Sequence, residues 1–167
     1  MIRVEVADEQ STYTFEHALL QRAVRIVLEG ESVTEAEVSI AIVDDTAIHL
    51  LNRKYLDHDY ATDVLSFLLS DRDDPLEGEI IVSADTAKRE ASRYAWDITD
   101  ELLLYIIHGA LHLVSYDDVS ECDREQMRAK EREYLEKLGR THPNVRREDM
   151  PQGQSATEPP LDNEGKP

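Results

Sequence analysis

At 167 residues the chain is long enough to bury one sizeable core and is expected to form a single domain. Its formal charge of −18 excludes a general affinity for phosphate backbones or anionic membranes. Contact with nucleic acid would need a local basic patch or a partner that supplies positive charge. No run reaches the roughly 18–20 apolar residues of a membrane span, and the first ten residues show no charged-then-apolar leader pattern. Cys122 is the single cysteine, so no internal disulfide can form, and a reducing cytoplasm is the expected setting.

Taken in chain order, residues 2–6 alternate apolar and polar as a half-buried strand does. Residues 14–29 carry Phe15, Ala18, Leu19, Ala23, Ile26 and Val27 at helical spacing, with Gly30 as the expected stop. Residues 37–43 alternate again, and Asp44 or Asp45 can cap a short helix running to about Tyr55. Residues 63–67 read as a third strand, 70–77 as a polar loop and 78–83 as a fourth strand. Ser83 opens a helix whose Ala84, Ala87 and Ala91 permit close packing. Residues 98–114 are apolar on nearly every face, the mark of a buried central helix. Ser120 caps a last helix to about Leu138, with Met127, Tyr134, Leu135 and Leu138 as its apolar stripe and Gly139 as its stop. From Thr141 to Pro167 the chain holds five prolines and no aromatic residue, and is expected to remain disordered. The predicted organisation is an α+β domain over 1–140, with a small mixed four-stranded sheet, about five helices and a cleft, followed by a tail over 141–167.

The most informative segment is His108-Gly-Ala-Leu-His112-Leu-Val-Ser-Tyr-Asp-Asp118. Residues i and i+4 share one helix face, with Cβ atoms roughly 5–6 Å apart, so two imidazoles there can converge on one cation. A lone histidine in an apolar helix is more often a satisfied core residue. Two on the same face of a buried helix each need partners for both ring nitrogens, and facing one another they cannot supply them all. A shared metal ion meets that need, and Asp117 or Asp118 lies where the chain folds back to give a third ligand. Three protein ligands with an open position are the pattern of a hydrolytic zinc site. Zinc peptidases of the H-E-x-x-H type place a glutamate after the first histidine; here that residue is Gly109, which weakens the peptidase reading.

The segment His108–Asp118 resembles the signature H-G-x-L-H-L-x-G-Y-D-H of the bacterial YbeY family of metal-dependent endoribonucleases. Two further blocks agree in order and spacing. Leu51-Asn52 with Asp59-Tyr-Ala-Thr62-Asp63-Val-Leu-Ser-Phe67 is similar to L-N-x-x-x-R-x-x-D-x-P-T-D-V-L-S-F. Gly78-Glu79-Ile-Ile-Val-Ser83, with Ala87 and Arg89-Glu90-Ala91 behind it, is similar to the family's G-D-I-x-I-S segment. The resemblance spans roughly residues 37–139. It implies a compact α+β fold with a metal ion in a cleft between helices and sheet. It also implies single-strand-specific RNA cleavage in maturation of the 3′ end of 16S rRNA and in disposal of defective ribosomes. The family holds its metal, taken as one zinc ion per chain, with three histidines. By position His108 and His112 carry over, and the third is Asp118 here.

Three departures follow from that alignment. A carboxylate at Asp118 remains a competent zinc ligand but lowers the charge of the site by one; Asp117 stays available as a ligand or as a hydrogen-bond partner for a histidine N–H. The family glycine before the tyrosine is Ser115, which resists a positive φ, so the turn that delivers Asp118 is expected to differ. The family arginine, a phosphate-binding candidate, is Leu56, which can neither bind phosphate nor stabilise developing charge. Arg53 or Lys54 on the same helix can substitute, although solvated surface charges are an equally good account of them. Thr62, Asp63 and Ser66 are expected at the cleft wall, and His58 is a surface histidine within reach of it.

The leading expectation is therefore a cytoplasmic metal-dependent endoribonuclease with its ion on His108, His112 and Asp118. Its expected partners are single-stranded rRNA and proteins of the small ribosomal subunit, with no membrane. The runner-up is a ribosome-assembly protein whose metal is mainly structural; a hydrolase of peptides or small amides comes third.

Overall fold

A computed structural model describes residues 1–141. The tail expected beyond them lies outside the described residues, as does the reading of it as disordered. The alternating segments become β1 (Ile2–Asp8), β2 (Ala36–Val43), β3 (Val64–Leu68) and β4 (Leu76–Ser83) in one sheet of order β1-β2-β4-β3. β1 pairs parallel with β2, and β2 parallel with β4, while β3 runs antiparallel to β4 at the end of the strand order. In register, Ile40 lies beside Ile80 and Ile42 beside Val82, so one sheet face is continuously apolar. The sheet is mixed and four-stranded, and with five helices it is the expected α+β architecture. β4 begins at Leu76, because the end of the polar 70–77 segment pairs with β2.

Five helices complete the described residues: α1 (His17–Gly30), α2 (Asp45–Leu56), α3 (Ala84–Arg93), α4 (Ile98–Leu113) and α5 (Glu121–Lys137). Their caps follow the sequence signals. Asp44 accepts from the Ala47 N–H at 2.8 Å, so Asp44 rather than Asp45 caps α2. Ser83 accepts from the Thr86 N–H, and Ser120 with Asp123 forms a capping box at α5. Gly30 is the last residue of α1, as expected. The helix ends through Ser32, whose φ is 68°, with the Val33 N–H returning to the Leu28 carbonyl at 2.9 Å.

α4 is the axis of the molecule, packing on α1, α3 and α5 and on the β3 and β4 strands. Leu102, Leu103, Leu104, Ile106, Ile107 and Leu111 are fully buried. Each contributes roughly 1.5–3 kcal/mol by leaving water, so the histidines on this helix stand on a rigid support. α2 lies on the opposite face of the sheet, where Val43, Ile48, Leu65 and Ile81 form a smaller second cluster. No helix among the described residues is long and apolar enough to cross a membrane.

Candidate metal centre

The last turns of α4 bring His108 and His112 together because four residues advance the helix by just over one turn. Their Nε2 atoms lie 3.2 Å apart. The chain then leaves the helix through a tight turn. The Ser115 N–H bonds the His112 carbonyl and the Tyr116 N–H bonds the Leu111 carbonyl, each at 3.0 Å. Ser115 adopts φ 83°. Serine takes up this left-handed conformation at a backbone cost of roughly 1–2 kcal/mol.

That turn delivers Asp118. Its Oδ2 lies 3.5 Å from His108 Nε2 and 3.7 Å from His112 Nε2. Asp117 is exposed and spends its carboxylate on the backbone, accepting from the Asp118 N–H at 2.8 Å. Of the two aspartates left open by the sequence, Asp118 therefore stands among the donors. Arg124 holds the far side of the turn, donating to the Val119 carbonyl at 2.9 Å.

The three donors fit a zinc ion. A tetrahedral ion bound at roughly 2.0–2.2 Å requires its donors to stand about 3.3–3.6 Å apart, and the edges of this triangle are 3.2, 3.5 and 3.7 Å. Two imidazoles and one carboxylate are also donors that zinc accepts. The opposite nitrogen of His108, Nδ1, lies 2.6 Å from Oε2 of Glu131 on α5. Glu131 is buried, 2 % exposed. A carboxylate there accepts the hydrogen bond donated by Nδ1–H, which leaves Nε2 with its lone pair facing the triangle and fixes the ring plane.

Sequence reasoning missed Glu131. A signal was present: Glu131 falls on the apolar stripe of α5, four residues after Met127 and three before Tyr134, where a charged residue breaks the pattern. Gly109 also gains a reason. A Cβ there would stand 2.9 Å from Ile80 Cγ2 and 3.4 Å from Val64 Cγ2. The position faces the sheet, so a glutamate in it would press on Ile80.

Beside the triangle opens a cleft of about 330 Å³, lined by His108, His112 and Leu113 of α4, by Val64, Leu65, Ser66 and Leu68 at β3, and by Leu56 at the end of α2. None of these lining residues is cationic. Leu56, the residue set against an arginine in the resemblance above, stands at the cleft and is 42 % exposed. Arg53 and Lys54 are not among the lining residues. Arg53 lies 3.8 Å from Asp59, and the Lys54 ammonium sits 5.1 Å over the ring of Tyr55. His58 stacks on Tyr60. Of the expected wall residues, Ser66 lines the cleft, while Asp63 is buried and accepts from the Val64 N–H at 2.8 Å with Thr62 beside it.

Comparison with known proteins gives a consistent picture. The profile of a family described as Endoribonuclease YbeY matches residues 4–139. A protein of that name from Desulfitobacterium hafniense is 40 % identical over 130 residues, covering 72 % of this chain and 81 % of the relative. Another from Geobacillus thermodenitrificans is 35 % identical over 153 residues, covering 84 % and 98 %. Among solved structures, the solution structure of TM1509 from Thermotoga maritima superposes with a TM-score of 0.59 at 27 % identity, covering 83 % of this chain and 89 % of that one.

Proposed function

The chain belongs to the YbeY endoribonuclease family, and on that premise we propose that it is a metal-dependent hydrolase that cleaves single-stranded RNA. The finer reading is an endoribonuclease of 16S rRNA 3′-end maturation and ribosome quality control, working in the cytoplasm with proteins of the small subunit. The observation that carries the metal-dependent reading is the donor triangle of His108, His112 and Asp118, backed by Glu131.

In this reading His108, His112 and Asp118 hold one zinc ion per chain. Such an ion supplies an acidified water and a polarised phosphoryl oxygen. Glu131 keeps the His108 ring in one tautomer and one plane. The apolar floor from Val64, Leu65 and Leu113 excludes bulk water, which strengthens charge interactions at the scissile phosphate. Arg53 and Lys54, just before Leu56 on α2, are the candidates for phosphate contacts beyond the cleft itself.

The experiment is metal analysis of purified protein together with cleavage of a single-stranded rRNA fragment. Chelation and His112→Ala are each expected to abolish cleavage. Asp118→Ala is expected to lose the metal, and Asp118→His to retain it. Full cleavage by a metal-free variant would sink the mechanism.

A second reading is favoured by one observation, the uncharged lining of the cleft at Leu56. In it the protein assists ribosome assembly and its metal is mainly structural. Rescue of 16S precursor accumulation in a deletion strain by a metal-retaining, cleavage-dead variant would select it over the first.

A further inference from the structure

We infer that Glu31, at the C-terminal end of α1, is a positioning residue for the metal centre, an inference that rests on the reading of His108, His112 and Asp118 as ligands. Its carboxylate, 15 % exposed, gathers three donors. Oε1 accepts from the Tyr116 hydroxyl at 3.0 Å, and Oε2 accepts from the Tyr134 hydroxyl at 2.5 Å and faces the Lys130 ammonium at 3.1 Å.

The positions of those donors carry the inference. Tyr116 stands two residues before Asp118, on the turn that brings the third ligand. Lys130 and Tyr134 flank Glu131, which orients His108. One carboxylate remote from the ion thus clasps both segments that complete the site. α1, which Glu31 caps, packs on α4, which carries the two histidines. The contacts close a circuit from the histidines through α1 and Glu31 to Tyr116 and Asp118.

Two further observations fit a clasp. The left-handed Ser115 makes the ligand turn a strained one, and strained backbone persists only where its surroundings hold it. Gly30, beside Glu31, gives the Tyr134 ring its path. A Cβ at Gly30 would collide with the Tyr134 hydroxyl and stand 2.8 Å from Cε1. Metal sites tolerate donor displacements of only about 0.2 Å, so slack in the 115–118 turn is read directly as lost affinity.

The test uses the full chain as wild type, Glu31→Gln and Tyr116→Phe. Zinc affinity is measured by competition with a chromophoric chelator, ligand geometry by visible absorption of the cobalt(II)-loaded protein, and folding by thermal unfolding without metal. Both variants are expected to bind zinc about tenfold more weakly, at the low end for groups that support metal ligands, and to shift the cobalt bands. Wild-type affinity and an unchanged cobalt spectrum in both variants would overturn the inference even if their thermal stability fell, because that is the outcome of a purely structural role. Should Glu31→Gln not fold, Tyr116→Phe decides alone, since it deletes one hydroxyl and leaves the bonds of Tyr134 and Lys130 in place. A wild-type chain that binds neither zinc nor cobalt would overturn the ligand reading itself, and the inference with it.

Discussion

His108 Nδ1 and Glu131 Oε2 lie 2.6 Å apart, joining helices whose contacting residues are 23 positions apart in the chain. The pair gives Glu131 a testable weight. Glu131→Ala should leave a buried imidazole nitrogen without this partner, at a cost of about 1–3 kcal/mol to the metal-free fold. It should also weaken metal binding about 10–100-fold. Chelator competition and denaturant unfolding measure the two effects separately, and unaltered metal affinity would remove Glu131 from the site.

Leu56 offers a gain-of-function test. Its side chain is partly exposed at the cleft, so Leu56→Arg should cost little stability while giving the cleft a guanidinium that can pair with a phosphate. Cleavage of single-stranded RNA should rise about tenfold, a conservative share of what one well-placed donor is worth. Metal content should not change. A rate that stays flat or falls would show that charge at this position does not limit the reaction.

The strain at Ser115 should be removable. Ser115→Gly supplies a residue that accepts φ 83° without a Cβ clash. The expected gain is about 1 kcal/mol, offset in part by the greater freedom of glycine in the unfolded chain. Thermal unfolding of the zinc-free protein should shift upward by roughly 2–4 °C. A lower midpoint would mean that the serine side chain contributes more than its backbone costs.

Acid should loosen the junction of α2 and α3 through Asp45. Burial pushes this carboxyl upward, but the Ser83 hydroxyl, the Arg89 guanidinium and the Thr86 hydroxyl outweigh burial and hold it below its ordinary 3.8. In the unfolded chain the group takes up its proton at higher pH than in the folded one. Its contribution is therefore complete above that ordinary value, which the unfolded chain keeps, and is lost as pH falls through the depressed folded value. Urea midpoints measured down to pH 3 should fall more steeply for wild type than for Asp45→Asn. Parallel pH profiles would refute the assignment.

Much of this architecture was legible from local signals. Strand alternation, the caps at Asp44, Ser83 and Ser120, and the all-apolar face of α4 each depend on neighbours a few residues away. The approach of His108 to His112 belongs to the same class, because the period of a helix alone puts i and i+4 on one side. Gly30 ends α1 as it reads in the sequence, but the left-handed residue that follows is Ser32, and the small size of the glycine makes room for the Tyr134 ring of α5.

The tertiary structure decided what distance along the chain conceals. Asp117 and Asp118 are chemically identical, and only the left-handed turn at Ser115 aims Asp118 at the imidazoles while Asp117 caps the backbone. Glu131 looks like one acid among many on a polar helix until α5 packs against α4 and buries it on His108 Nδ1. Leu56 and the histidines meet at one cleft only because α2, β3 and α4 come together there. The sequence by itself determined which groups could bind a metal, because residue chemistry and helical period are local. The approach of Asp118 to the two imidazoles, the carboxylate beside His108 Nδ1 and the apolar character of the cleft came from packing, which sets distances between residues whatever their separation along the chain.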